Sequence, residues 1–579
     1  MPRTYTRVSL LWALLVVAYV NRWSQCAAGS VELEGSRVDT IGQERVERTL
    51  VDSSQASDPR SCSDSLDGSD SLDGSDAYLG SRSLHPAILH HVLYTEPNAH
   101  LATLATISDH PSHLSRTFLS PAHRRAARKL QEWMRQAGLV AWVDGLANVR
   151  GLIGGRGENS TKPALLFGSH YDTVLDAGAY DGALGIVVAM AAVKASLLDE
   201  AVRGGLVSNA ALFEVMQMRK SDDVEIDVMD ILDVDPNQKK HSALLPKPVE
   251  VVAFSDEEGV RFQSTFLGSR ALAGDLSAGY LDGIVDINGV TLSEAIQEAG
   301  MGLDLGLSLD GVGRDREELA GYVEVHIEQG PVLEASGEAL GVVTGIAGQT
   351  WGEVRVRGSQ GHAGTVPMEG RRDPMPAVGV LVGGLEQLCL EELGRDSKSA
   401  LVCTVGKVDV WPGAGNVIAG AVNFTVDVRA LTDEVRQGVV RRFERMVEVE
   451  CIQRRLECAF EVRHEAAAVA MDDGLTEALV RAVEAERKER ERDRVDSTCS
   501  AKAADVTDEK SQSDPSKVIK MASGAGHDAI AMSGIVPVSM LFVRCKGGIS
   551  HRPDEYAHPD DVAAAGRATY HFLRDWLEA

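Results

Sequence analysis

The sequence is short of positive charge: 58 Lys and Arg stand against 85 Asp and Glu, a formal net charge of -27. A chain so acidic repels nucleic acid and anionic membrane surfaces, which excludes both as partners by non-specific electrostatics. Part of that charge lies in polar, low-complexity segments, so the folded body is less acidic than the total. Cysteine is equally uninformative. The eight residues, Cys26, Cys62, Cys389, Cys403, Cys451, Cys458, Cys499 and Cys545, form no CxxC pair, which argues against a zinc ribbon or a dense disulfide scaffold. There is also no apolar run of spanning length. The apolar run Leu10–Val20 is too short for a stable membrane span. Preceded by Arg3 and Arg7 and followed by the small residues Ala27 and Ala28, it reads as a cleaved signal peptide over residues 1–28, with an uncleaved anchor as the alternative. Entry into the secretory pathway, with the endoplasmic reticulum as destination, is the expectation.

What is present is a chain of 579 residues, 44% hydrophobic, long enough for more than one domain. Residues 29–84 are rich in Ser, Asp and Gly and carry SDSLDG twice in tandem. Such a segment lacks the apolar groups that offset chain entropy and reads as a disordered linker. Two further stretches, about 203–246 and 485–516, read as charged insertions that take no part in the chemistry.

Between them, short apolar runs (Ala164–Ser169, Val249–Phe254, Ser539–Val543) alternate with helical patterns (Leu184–Leu198, Asp561–Leu577). That alternation predicts an α/β fold with a mostly parallel sheet. The block 345–468 has another rhythm. A strand at Trp351–Arg357, a helix at Pro374–Leu393, strands near Leu401–Val410 and Val422–Arg429, a helix near Asp433–Gln453 and a strand near Glu457–Arg463 give a β-α-β-β-α-β unit. It is expected as a second domain inserted into a catalytic domain of residues 85–344 and 469–579.

The chemistry-bearing residues cluster where apolar strands end, the usual place for sites in open α/β sheets. His170 and Asp172 are two apart on such a strand end, so they project from one face, and the Asp can fix the tautomer of a metal-bound His. Alone, the pair is equally compatible with a surface turn. Asp181 opens a helical run, as a bridging carboxylate or as a helix N-cap. Asp256, Glu257 and Glu258 follow a buried strand directly, where three acids are costly unless a cation or solvent neutralises them. His326 and His551 each end an apolar run and precede Gly or Pro. A lone His there is usually structural, but the joint order is more specific.

The order His-x-Asp, Asp, Glu-Glu, His, His resembles the aminoacylase-like family of co-catalytic metalloenzymes. The longer words FSDEEGVRFQSTFLGSRALAG, GYVEVHIEQGPVLE, GVVTGIAGQT, GSQGHAGTVPM, SGAGHDA and MLFVRCKGGISH resemble its allantoate amidohydrolase branch, particularly the plant type. The resemblance implies two divalent metal ions per subunit, manganese by family habit, although the His, Asp and Glu donors would also hold zinc or cobalt. It makes His170, Asp181 and His326 ligands of one ion and Asp181, Glu258 and His551 ligands of the other. Glu257 becomes the general base and Asp172 the group that orients His170. Gln349, His362, Asn416, Arg429 and His527 become substrate contacts, Arg429 through its carboxylate-matching fork; without the resemblance, Arg429 and Asn416 would be ordinary surface residues. A small ureido substrate and a homodimer that shares residues across its interface are also implied. The expected activity is hydrolysis of allantoate. Ureidoglycolate, N-carbamoyl amino acid and β-ureidopropionate hydrolases are rivals on the same site, a peptidase fits less well, and an inactive binding protein is the non-enzymatic alternative.

Overall fold

Runs that are apolar on both faces can be buried only between two layers, and such runs form the centre of this molecule. The computed structural model describes residues 83–218, 226–232, 244–276, 278–300, 312–397, 399–500 and 518–579. The expected signal peptide and nearly all of the expected linker lie outside them. Six strands come first: β1 (Val140–Val143), β2 (Val149–Ile153), β3 (Ala164–His170), β4 (Val249–Phe254), β5 (Leu319–Ile327) and β6 (Leu340–Ile346). A second group follows: β7 (Gly348–Arg357), β8 (Gly361–His362), β9 (Val402–Thr404), β10 (Val408–Trp411), β11 (Val417–Ile418), β12 (Ala421–Ala430) and β13 (Glu457–Ala466). The chain then returns through β14 (Val469–Ala470), β15 (Ile519–Ser523) and β16 (Val538–Val543).

The first and last groups make one sheet, ordered β1-β2-β4-β3-β5-β16-β6-β14, with β15 also on β6. Its four central strands, β4, β3, β5 and β16, run parallel, and the strands flanking them pair antiparallel. Every residue of β3, β4 and β16 is buried. The carboxylate among them, Glu250 in β4, is held by Arg150 at 2.7 Å and by Arg314, which compensates a charge that would otherwise be costly to bury. The helix Ala183–Arg203 is buried on nearly every face because it lies against β3 and β5 beneath the helices Glu96–Thr106 and Pro559–Glu578. Parallel central strands bring their carboxyl ends, and the loops after them, to one edge. The α/β class is therefore as expected.

The second group forms a separate antiparallel sheet, β10-β12-β7-β13 with β9 on β12. The helices Pro374–Arg395 and Asp433–Arg454 pack on it and on each other. Strand β12 alternates buried and half-buried residues along its length, as one covered face requires. The strand expected near Leu401–Val410 is two strands. Cys403 pairs with Val428 and Asp409 with Asn423, so one side carries an extra residue, a bulge at which Thr425 Oγ1 accepts the Lys407 N–H at 3.1 Å. β8 and β11 leave the sheet as a two-stranded ribbon.

The two stretches expected as insertions carry structure in their described parts. The stretch 203–246 contains the helices Asn209–Met218 and Val228–Ile231, and Leu212, Ile226 and Val228 pack into the core beside Ala192 and Leu198. The charged stretch from 485 begins inside the helix Asp473–Ser500, where buried Glu486 accepts from Arg567 at 2.8 Å. Cysteine spacing also concealed two pairings. Cys389 and Cys403 join a helix to β9, and Cys451 and Cys458 join a helix to β13, as disulfides with Cα separations of 6.4 and 6.2 Å. Cys545 is free and buried.

Candidate active site

The loops and strand ends at the carboxyl edge of β3, β4, β5 and β16 bring four side chains together around one carboxylate. His170 ends β3, and Asp181 sits on the loop after it. Gly182, at φ +65°, turns that loop into the helix Ala183–Arg203, and a Cβ there would lie 2.4 Å from the His170 carbonyl. Glycine thus allows Asp181 to close on His170. Asp181 Oδ1 lies 3.6 Å from His170 Nε2 and 3.2 Å from His326 Nε2, and the two imidazole nitrogens are 3.5 Å apart. Asp181 Oδ2 lies 3.1 Å from His551 Nε2, which is 3.4 Å from Glu258 Oε1. His170, Asp181 and His326 form one triad and Asp181, Glu258 and His551 another, with all ligand atoms of each within 4.8 Å of one another.

These spacings fit cations. With metal–ligand bonds of about 2.1 Å, neighbouring ligand atoms on a tetrahedral ion lie roughly 3–3.5 Å apart. His326 Nδ1 faces the Ile327 carbonyl at 2.9 Å, and His170 Nδ1 faces the Asp172 carbonyl at 3.2 Å and its carboxylate at 3.5 Å. Each Nδ1 is thereby fixed as a donor, which leaves Nε2 as a lone pair aimed at Asp181. Asp181 Oδ1 is buried and has no hydrogen-bond partner among the described residues, an orphan that a cation satisfies. Asp172 has a second task that its sequence position did not reveal. Its two oxygens accept the N–H groups of Glu257 and Glu258 at 3.0 and 3.2 Å, so it fixes the backbone of both acids as well as one imidazole.

The three consecutive acids divide by direction. Asp256 is fully buried and plays no part in the pocket. Glu257 and Glu258 line it. Burial raises the Glu257 carboxyl well above the usual carboxylate range, with His170 opposing and Glu258 reinforcing the shift; burial and then Asp181 push Glu258 up to about 7. The pocket, about 210 Å³, is also lined by Thr265, Phe266, Gln329, Gln349, Trp351 and Arg429. It suits a small molecule.

The expected substrate residues separate into three places. Gln349 and Arg429 line the pocket; Arg429 shares its guanidinium with Asp427 at 2.9 Å and the Gly524 carbonyl at 2.8 Å. His527 lies behind His326, with ring centroids 4.6 Å apart, and does not line the pocket. His362 and Asn416 stand exposed on the β8–β11 ribbon and line no part of this pocket. Sequence reasoning missed Gln329, whose Nε2 donates to Asp181 Oδ2 at 3.1 Å, although its place three residues after His326 was a signal. It also missed Trp351 and His464, which pack ring to ring at 4.8 Å with His464 3.3 Å from Gln349; nothing in their sequence context marks them.

Histidine and carboxylate triads at the strand ends of an α/β sheet, with a buried glutamate beside them, define a metal-dependent hydrolase. The chain belongs to peptidase family M20/M25/M40, whose family model matches residues 228–575. It is 44% identical to a probable allantoate deiminase of Oryza sativa subsp. japonica, over 83% of this chain and 88% of that one. It is 32% identical to an N-carbamoyl-L-amino-acid amidohydrolase of Pseudomonas sp. (strain NS671), over 79% and 92%. A hydantoinase/carbamoylase family amidase from Burkholderia multivorans superposes with a TM-score of 0.63 at 26% identity, covering 83% of this chain and 96% of that one.

Proposed function

We propose that this chain hydrolyses allantoate to ureidoglycine, ammonia and carbon dioxide, with ureidoglycolate arising after further loss of ammonia, as a step of purine nitrogen recycling. The observation that carries the reaction type is the pair of triads joined at Asp181 with Glu257 beside them. The substrate rests on the likeness to the rice protein over most of both chains.

In this reading each subunit holds two divalent cations, manganese by family habit, with zinc or cobalt also suited to the donors. Bound there, they supply Lewis-acid polarisation of the ureido carbonyl and acidify water. Glu257 takes a proton from the attacking water and delivers it to the departing ammonia. Asp172 keeps His170 in register and holds the Glu257–Glu258 backbone. Arg429, with N–H groups left over after Asp427 and Gly524, receives the substrate carboxylate, and Gln349 bonds the ureido group. His362 and Asn416 act from a second copy, His362 on the oxyanion. That homodimer is supported by their position outside this chain's pocket and by edge strand β10, which exposes Val408, Val410 and Trp411.

Ammonia release with manganese supplied, measured on allantoate, ureidoglycolate, N-carbamoyl amino acids and N-carbamoyl-β-alanine, tests the assignment. The highest kcat/KM is expected on allantoate. No ammonia from allantoate, with turnover of a carbamoyl amino acid, would favour the second reading, which the Pseudomonas relative supports.

Maturation in the endoplasmic reticulum is part of the proposal. Residues 1–28 support it, and so do the two disulfides, which persist in oxidising compartments. No helix among the described residues is long and apolar enough to cross a membrane.

A further inference from the structure

Asp181 and His551 belong to loops separated by most of the chain, and one buried carboxylate outside both triads touches each loop. Glu555 is 4% exposed. Its Oε1 accepts the backbone N–H groups of Tyr180 at 2.8 Å and Asp181 at 3.0 Å. Its Oε2 accepts from the Ser550 hydroxyl at 2.9 Å, and that hydroxyl is also 3.0 Å from Asp181 Oδ2. Space is reserved for this group, because a Cβ on Gly178 would lie 2.2 Å from Glu555 Cδ. The loop it anchors needs fixing: His551 has φ +57°, a left-handed conformation that persists in a non-glycine residue only when surrounding contacts over-determine it.

We propose that Glu555 is a positioning residue that locks the Asp181 loop to the Ser550–His551 loop and thereby sets the geometry of the Asp181, Glu258 and His551 triad. The inference rests on the two-cation reading above. Its oxygens are committed to three donors, so Glu555 is not itself a ligand. Instead it spends a buried charge on holding two ligand-bearing loops in one register, as partners behind metal ligands do. The His170, Asp181 and His326 triad has its own supports in Asp172 and the Ile327 carbonyl, so the loss of Glu555 acts on one triad more than the other.

The test compares Glu555→Ala with Glu555→Gln in the full chain, by manganese content after equilibrium dialysis, by kcat and KM, and by circular dichroism. The amide keeps an oxygen for the two N–H groups and gains an NH2 that reaches Ser550. Glu555→Gln is expected to hold two ions per subunit and near-native kcat. Glu555→Ala is expected to fold, to hold one ion at concentrations where the native chain holds two, and to lose kcat about 10–100-fold with KM little changed. Should Glu555→Ala fail to fold, Gly178→Ala, which displaces the carboxylate, is expected to give the same loss of one ion. Two ions and unchanged kcat in the variants would overturn the role of Glu555 alone. A native chain that binds a single ion would overturn the two-cation reading, and this proposal with it.

Discussion

The strand-end site and the antiparallel unit differ in how completely one chain builds them. At the strand ends, His170, Asp172, Asp181, Glu257 and His326 are all buried, and a carbonyl, a second carboxylate or a backbone N–H directs the two imidazoles and both glutamates. In the antiparallel unit, Gln349 and Arg429 reach the pocket, whereas His362 and Asn416 stand exposed on a ribbon that lines none of it. The edge strand β10 is exposed along its whole length. The difference teaches that the residues expected to react converge within this chain, whereas two of those expected to hold substrate lie outside the pocket it forms.

The comparison breaks hardest at Glu257. Glu257→Gln keeps the shape and removes the proton acceptor, so kcat is expected to fall by about 10²–10⁴ while metal content, read by elemental analysis, stays native. Retained turnover would remove Glu257 as the base. Arg429 belongs to the other half, where effects fall on binding. Loss of a charge-assisted contact is worth about 1.5–3 kcal/mol, or roughly 10–100-fold; Arg429→Ala is expected to raise KM for allantoate by that factor and to change kcat much less. Equal losses in kcat and kcat/KM would place Arg429 among groups acting only in the transition state.

The same division explains what could be read from the sequence. Strands β3, β4 and β16 were legible because burial on both faces leaves an unbroken apolar run, and His170, Glu257 and Glu258 were legible as candidates because they end or closely follow two of those runs. Directions were not. Nothing in Asp256-Glu257-Glu258 says which acid turns inward to the core, since that depends on Asp172 capturing the two N–H groups that follow. Trp351 and Glu555 act through contacts with residues remote in sequence, and a single sequence carries no mark of such pairings. The bulge between β9 and β10 depends on register with β12, which the local pattern of Leu401–Val410 does not encode. The cysteines escaped for a related reason: separations of 14 and 7 residues become contacts only once each helix turns back onto its strand.

Whether the second half is completed by another copy can be tested by mixing two inactive variants. In a homodimer that exchanges ribbon residues, Glu257→Gln supplies an intact Asn416 to its partner, and Asn416→Ala supplies an intact Glu257. Co-refolded in equal amounts, half of the dimers are mixed and each has one working site, so about a quarter of native activity is expected from closed twofold symmetry. Recovery no greater than the sum of the separate variants would mean that Asn416 serves the site of its own subunit, and would remove the shared-site homodimer.

The smallest effect concerns how the antiparallel unit is held. Closing a loop of about 15 residues with a disulfide stabilises by about 3 kcal/mol in the chain-entropy model, and shorter loops by less. Replacing Cys389 and Cys403 by Ser is therefore expected to lower Tm by a few degrees. Replacing Cys451 and Cys458 is expected to lower it less, because the loop is shorter, and kcat with bound manganese should stay near native in both. Differential alkylation under denaturing, non-reducing conditions is the companion measurement: Cys545 should be labelled and these four should not. Labelling of all five would mean that the unit is held by its apolar core alone, and would remove the cysteine pairs as support for maturation in an oxidising compartment.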